Sequence, residues 1–180
     1  MTPRLIGTTV LETDRLILRA PEMQDFEAWA TFAASKRAEF IGGPYTYGKA
    51  WRAFGHMVGH WVLRGFGLFV ITYKGSDTAI GAAGPWYPMD WPEKEIGWTL
   101  WSPEAEGKGI AHEAALATRT HAYTTLGWTQ AVSYIDEPNT RSIALADRLG
   151  AKRDDSAESI SVEKDVKVLV YRHPSAEAVR

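Results

Sequence analysis

A glycine turn at Glu106-Gly107-Lys108-Gly109-Ile110-Ala111-His112-Glu113-Ala114-Ala115 sits where a strand pattern ends and an Ala-rich helix pattern begins. The first N–H groups of a helix lack intrahelical acceptors and carry the positive end of its dipole, so a diphosphate can lie against them when no side chain intervenes. Gly107 and Gly109 remove those side chains; the same glycines would also serve a plain tight turn. Spacing excludes two common nucleotide motifs: a dinucleotide fingerprint needs Gly or Ala where His112 stands, and a P-loop needs Ser or Thr where Gly109 stands.

Other chemistry-bearing types are sparse. The chain has no cysteine, which excludes disulfides, thiolate metal sites and a cysteine-acyl intermediate, and favours direct transfer. His56 and His60 share one face of a predicted helix, but no third ligand accompanies them, and packing on a sheet explains them better than a metal does. Trp86, Trp91, Trp98 and Trp101 fall in one short stretch and read as core, with a share available to line a cleft. Asp154, Asp155, Glu158, Glu163 and Asp165 read as a solvated acidic loop.

The elements that must position the turn follow from periodicity. Thr13 to Arg19 alternates as a strand, and Asp25 stands as N-cap before a helix carrying Phe26, Trp29 and Phe32. Trp51, Phe54, Val58 and Trp61 or Val62 form the stripe of a second helix that stops near Gly65. Leu68 to Tyr73, Thr78 to Trp86 and Glu95 to Trp101 predict a three-stranded meander; a helix from about Gly109 to Leu126, a short strand at Gln130 to Ile135, a helix from Asn139 to Leu149 and a last strand at Val166 to Tyr171 complete the chain. This is an α/β (α+β) pattern: one domain over residues 1–180, with a mixed, mostly antiparallel sheet flanked by helices.

Composition sets further bounds. A length of 180 residues with 45% hydrophobic content supports one full core, and a net charge of −2 offers no basic field for direct nucleic-acid binding. With no apolar run of about 18 residues and no leader pattern at the N-terminus, no membrane association is expected, and the predicted location is cytoplasmic. The expected state is a monomer or homodimer.

Four segments in order resemble the GNAT superfamily of N-acetyltransferases, and within it the branch of ribosomal-protein N-terminal acetyltransferases: Glu12-Thr13-Asp14-Arg15-Leu16-Ile17-Leu18-Arg19, Glu95-Ile96-Gly97-Trp98, Gly107-Lys108-Gly109-Ile110-Ala111, and Asn139-Thr140-Arg141-Ser142 with Leu149-Gly150. The resemblance implies acetyl-CoA as cosubstrate without a metal, and an amine acceptor that is a protein N-terminus or a small molecule. It assigns donor contacts to Gly107, Lys108, Gly109, Ile110 and Ala111, main-chain contacts along a splayed strand to Leu100 and Trp101, and the thiol end to Asn139. Asn139 equally fits a helix N-cap. The family's Gln or Arg before the glycines is Glu106 here, and its usual acid Tyr is Ala146; the ribosomal-protein branch, which this chain resembles in placing a Ser three residues after the Asn, implies Ser142 as the candidate acid. Glu95, on the strand face opposite Ile96, Trp98 and Leu100, becomes the candidate base, with Glu93 and Asp90 in reserve. The departures at Glu106 and Ala146 keep open an alternative: a catalytically weak acyl-CoA-binding or regulatory module on the same fold.

Overall fold

The computed structural model describes residues 5–160 and 166–178; Glu163 and Asp165 of the acidic stretch lie outside the described residues. In chain order the elements are β1 (Leu11–Glu12), β2 (Leu16–Arg19), α1 (Phe26–Ala33), α2 (Tyr47–Arg64), β3 (Phe69–Tyr73), β4 (Gly81–Trp86), β5 (Glu95–Leu100), α3 (Ile110–Thr124), β6 (Val132–Asp136), α4 (Thr140–Arg148), β7 (Lys152–Arg153) and β8 (Val168–Arg172). Short 3₁₀ turns at Met23–Asp25, Lys36–Ile41 and Pro103–Ala105 link them.

The strands form one eight-stranded sheet in the order β1-β2-β3-β4-β5-β6-β8-β7. Every pairing is antiparallel except β5 with β6, which is parallel. One face carries α1 and α2, whose Phe26, Trp29, Phe32, Phe54 and Met57 pack on Val70, Ala82 and Trp101. The opposite face carries α3, where Ile110 and Ala114 meet Leu16, Leu18, Phe69, Ile71 and Ala83. All residues of β4 from Gly81 to Pro85 are buried, and Gly81 and Ala83, which share the α3 face, are small enough to let the backbone of α3 come close to the centre of the sheet.

Local rules account for most boundaries. Thr46 caps α2 by accepting from the Lys49 N–H, and Gly65 ends it in the left-handed region at φ 74°. Asp25 departs from its expected role. Its carboxylate is buried and takes both terminal nitrogens of Arg19 at 2.7 Å, so it holds the end of β2 to the entrance of α1 instead of capping that helix. Removing Arg19 would leave the Asp25 charge buried and uncompensated, at a cost of about 3–5 kcal/mol. No helix among the described residues is long and apolar enough to cross a membrane.

Candidate active site

β5 and β6 share a single register pair, Glu95 with Val132, fastened where the Val132 N–H donates to Lys94 O at 2.9 Å. Beyond it the strands part. A buried side-chain relay stands at the point of divergence. Ser133 Oγ donates to Ile96 O at 2.7 Å in place of a β6 main-chain donor, and so accepts from His173 Nε2 at 2.9 Å. His173 Nδ1 then accepts from Arg119, whose guanidinium also donates to Leu149 O at 2.6 Å. Burial, aided by the Arg119 charge, pulls His173 down to about 3, consistent with the neutral ring this bonding needs.

Alternation along β5 fixes what its open edge offers. The Trp101 N–H donates to Ile80 O across the β4 side, whereas Ile96 O faces β6, so the main-chain groups of Trp98 and Leu100 also point toward the parting. At the end of the strand Arg37 donates to both Leu100 O, at 2.9 Å, and Trp101 O, at 2.6 Å. Trp101 therefore has its N–H and carbonyl engaged within the protein and its ring buried against Trp29, while Leu100 keeps its N–H on the open side.

The parting runs into a groove of about 410 Å³ lined by Leu100, Ala105, Gly107, Gly109, Ile110, Ala111, His112 and Arg148. Five residues assigned from sequence to the donor thus meet on one surface. Gly107 and Gly109 have φ of 71° and 75°, a region costly for any residue with a Cβ, so the turn that aims the first N–H groups of α3 outward requires glycine at both positions. Arg15 stabilises this turn. It pairs with Glu113 in the first turn of α3 and donates to Lys108 O at 3.0 Å, while Thr13 Oγ1 donates to the same Glu113. Lys108 contributes its carbonyl to that brace and is not among the groove-lining residues. Glu106 does not point away from the protein: it accepts from Arg37 Nε at 3.0 Å and from Arg141 Nη1 at 2.8 Å.

Asn139 acts as the N-cap of α4, accepting from the Ser142 N–H at 3.2 Å. Ser142 Oγ in turn accepts the indole N–H of Trp98 at 3.2 Å, an arrangement that leaves the hydroxyl hydrogen available to a third group. Ala146, in place of the family's Tyr, is fully buried.

Glu95 lies on the α1/α2 face of β5. Burial pushes its carboxyl up to about 7, against the indole N–H of Trp91, which donates to Oε2 at 2.7 Å, and the Tyr134 main chain, both of which favour the anion. Its Oε1 lies 3.7 Å from where a Cβ on Gly97 would be, so the missing side chain leaves room beside the carboxyl. Of the reserves, Glu93 is locked in a bidentate pair with Arg172, and Asp90 is exposed. His60 has both ring nitrogens engaged: Nδ1 donates to Phe66 O, Nε2 accepts from the Tyr87 N–H, and the ring stacks on Trp86, so it is a packing residue.

A mixed sheet split between β5 and β6, with a glycine-turn groove at the mouth of the split, is the architecture of this site. Residues 15–152 match the model of the acetyltransferase (GNAT) domain, and the chain belongs to that family. An acetyltransferase from Agrobacterium tumefaciens is 36% identical with a TM-score of 0.85, over 97% of this chain and 99% of that one. The GNAT-family acetyltransferase from Bacillus anthracis shares the fold at 20% identity and a TM-score of 0.75, over 94% of this chain and 99% of that one. So does RimL, a ribosomal L7/L12 alpha-N-protein acetyltransferase, at 18% identity and a TM-score of 0.71, over 95% of this chain and 97% of that one.

The contacts of Arg15, Arg37, Arg141 and Arg148 and the Ser133–His173–Arg119 relay escaped the sequence reading, although Arg15 and Arg141 stand within the quoted motifs. Each acts on residues distant in the chain, and an isolated arginine or serine carries no periodic signal. Glu106 was the usable clue, since an acid in a donor loop calls for a cation from elsewhere.

Proposed function

We propose that the protein is an acetyl-CoA-dependent N-acetyltransferase that passes acetyl directly to a primary amine, on a protein N-terminus or a small molecule. The observation that carries this reading is the continuity of the site: the groove over Gly107, Gly109, Ile110 and Ala111 opens onto the parted edge of β5. Ser142 and Glu95 stand further along, on opposite faces of that strand. A structure of RimL in complex with coenzyme A, 17% identical to this chain with a TM-score of 0.70, supports coenzyme A as the ligand class for such a cleft.

In this reading the diphosphate rests on the N-terminus of α3, and the pantetheine arm adds to the β5 edge as an extra strand would. Bound acetyl-CoA supplies an activated thioester. Glu95 removes a proton from the incoming ammonium, the amine nitrogen bonds to the acyl carbon, and the carbon–sulfur bond breaks as the Ser142 hydroxyl gives its hydrogen to sulfur, while the second proton of the nitrogen leaves through solvent, which restores the Ser142 hydroxyl. A carboxyl with a pKa about 7 is half ionised at neutral pH, which suits a base.

Coenzyme A at 100 times its dissociation constant should stabilise the fold by about 2.7 kcal/mol, visible as a higher melting temperature. Free thiol should then appear when acetyl-CoA is mixed with a panel of amines. No thermal shift at millimolar coenzyme A would remove the donor assignment; a shift without transfer to any amine would support the binding-module alternative.

A further inference from the structure

We infer that Arg37 is a positioning residue of the donor site, supplied from the 3₁₀ turn Lys36–Ile41, which sets the glycine loop at a fixed distance from the open end of β5. The inference rests on the acetyl-CoA reading above. Four hydrogen bonds carry it. Arg37 donates from Nε and Nη2 to Glu106, from Nη2 to Leu100 O and from Nη1 to Trp101 O. It therefore clasps both ends of the connection that leaves β5 and enters the glycine turn.

The anchor of Arg37 is itself defined. Ser35 caps the 3₁₀ turn by accepting the Arg37 N–H at 3.2 Å and donates to Phe32 O at 2.7 Å, and the guanidinium lies 5.3 Å from the Phe32 ring centroid. Glu106 divides its two oxygens between Arg37 and Arg141, whose side chain is 85% exposed at the start of α4. An acid that would repel a diphosphate is thereby neutralised and turned into a fastener between the glycine loop, the Lys36–Ile41 turn and the helix carrying Ser142.

A rigid spacing matters because the donor is a molecule of fixed reach. Its diphosphate must sit on the α3 N-terminus while its thioester lies beside Trp98 and Leu100, and a displacement of about 1 Å between these points can cost about 100-fold in rate. Only a fork of planar donors can hold two carbonyls and a carboxylate together; a lysine supplies a point charge without that geometry.

The test compares a full donor with a truncated one. S-acetylpantetheine uses the strand edge and not the glycine loop, so the spacing between them is irrelevant to it. Arg37→Ala should lose about 100-fold in kcat/KM with acetyl-CoA and change little with S-acetylpantetheine, and Arg37→Lys should behave like the alanine variant. Glu106→Gln provides a milder second variant: it should show the same donor-selective loss, and the double variant should be no worse than Arg37→Ala alone, because the two side chains act as one unit. Equal losses with both donors, full activity of Arg37→Lys, or additive losses would each overturn the role of Arg37. Failure of the wild-type protein to transfer from either donor would instead sink the acetyl-CoA reading itself.

Discussion

Glu95→Gln should separate catalysis from stability in opposite directions. The carboxyl is held at about 7 against an ordinary value of 4.5, chiefly by burial, so the folded state prefers the protonated form. Between these values the folded chain binds more protons than the unfolded one, and stability falls as pH rises from about 4.5 to about 7. The displacement from 4.5 to about 7 corresponds to a ceiling of about 3 kcal/mol of strain above pH 7, net of the Trp91 hydrogen bond. Glutamine carries no charge to desolvate. The variant should therefore melt higher than wild type at pH 8 and converge with it at about pH 4. Turnover should move the other way, falling about 100-fold to 10,000-fold near neutrality through loss of the base. Wild-type kcat/KM should show an acidic limb near pH 7, whereas the variant should follow the ionisation of the acceptor itself, about pH 8 for an α-amino group, and regain activity above it. Calorimetric melts and steady-state rates across pH on the same preparations supply both readings. A variant with the wild-type limb, or one no more stable at pH 8 than wild type, would refute this account of Glu95.

Ser142→Ala should retain donor affinity and lose turnover, without the recovery at high pH expected of the Glu95 variant; wild-type kcat would move the acid role to water or another hydroxyl. Gly109→Ala places a Cβ at φ 75°, at a cost of about 1–2 kcal/mol, and should weaken coenzyme A binding by tilting the first N–H groups of α3. Isothermal titration on the folded variant checks this, and unchanged affinity would remove the glycine turn from the diphosphate site.

The sequence was most readable where structure is local. The strand from Glu95, the paired glycines and the helix after them are set by neighbours in the chain, and α3 begins at Ile110 as the motif requires. Asn139 shows the limit of such reasoning: its spacing permitted a cap and a ligand contact, and only coordinates place its side chain on the Ser142 N–H. The tryptophans divide for tertiary reasons alone. Trp101 is buried under α1, Trp98 reaches Ser142 across 44 positions, and Trp91 serves Glu95, though all three look alike in one aromatic run. Asp25 satisfied a capping rule and was claimed instead by Arg19, because a buried bidentate pair outweighs one helix-end hydrogen bond.

The single rung between β5 and β6 bears on solubility as well as on ligand access. Unpaired strand edges at the margin of a sheet are templates for aggregation, and proteins blunt them with charge, proline or short length. Here a partly open edge, with the Trp98 main chain and the Leu100 N–H facing the parting, lies mid-sheet, with β6, β8 and β7 beyond it and helices on both faces. A polypeptide arriving from outside would need to thread its side chains between two diverging strands, whereas a chain without a side chain at every residue meets less obstruction. The molecule thus keeps hydrogen-bonding capacity in reserve and withholds it from other proteins by shape alone.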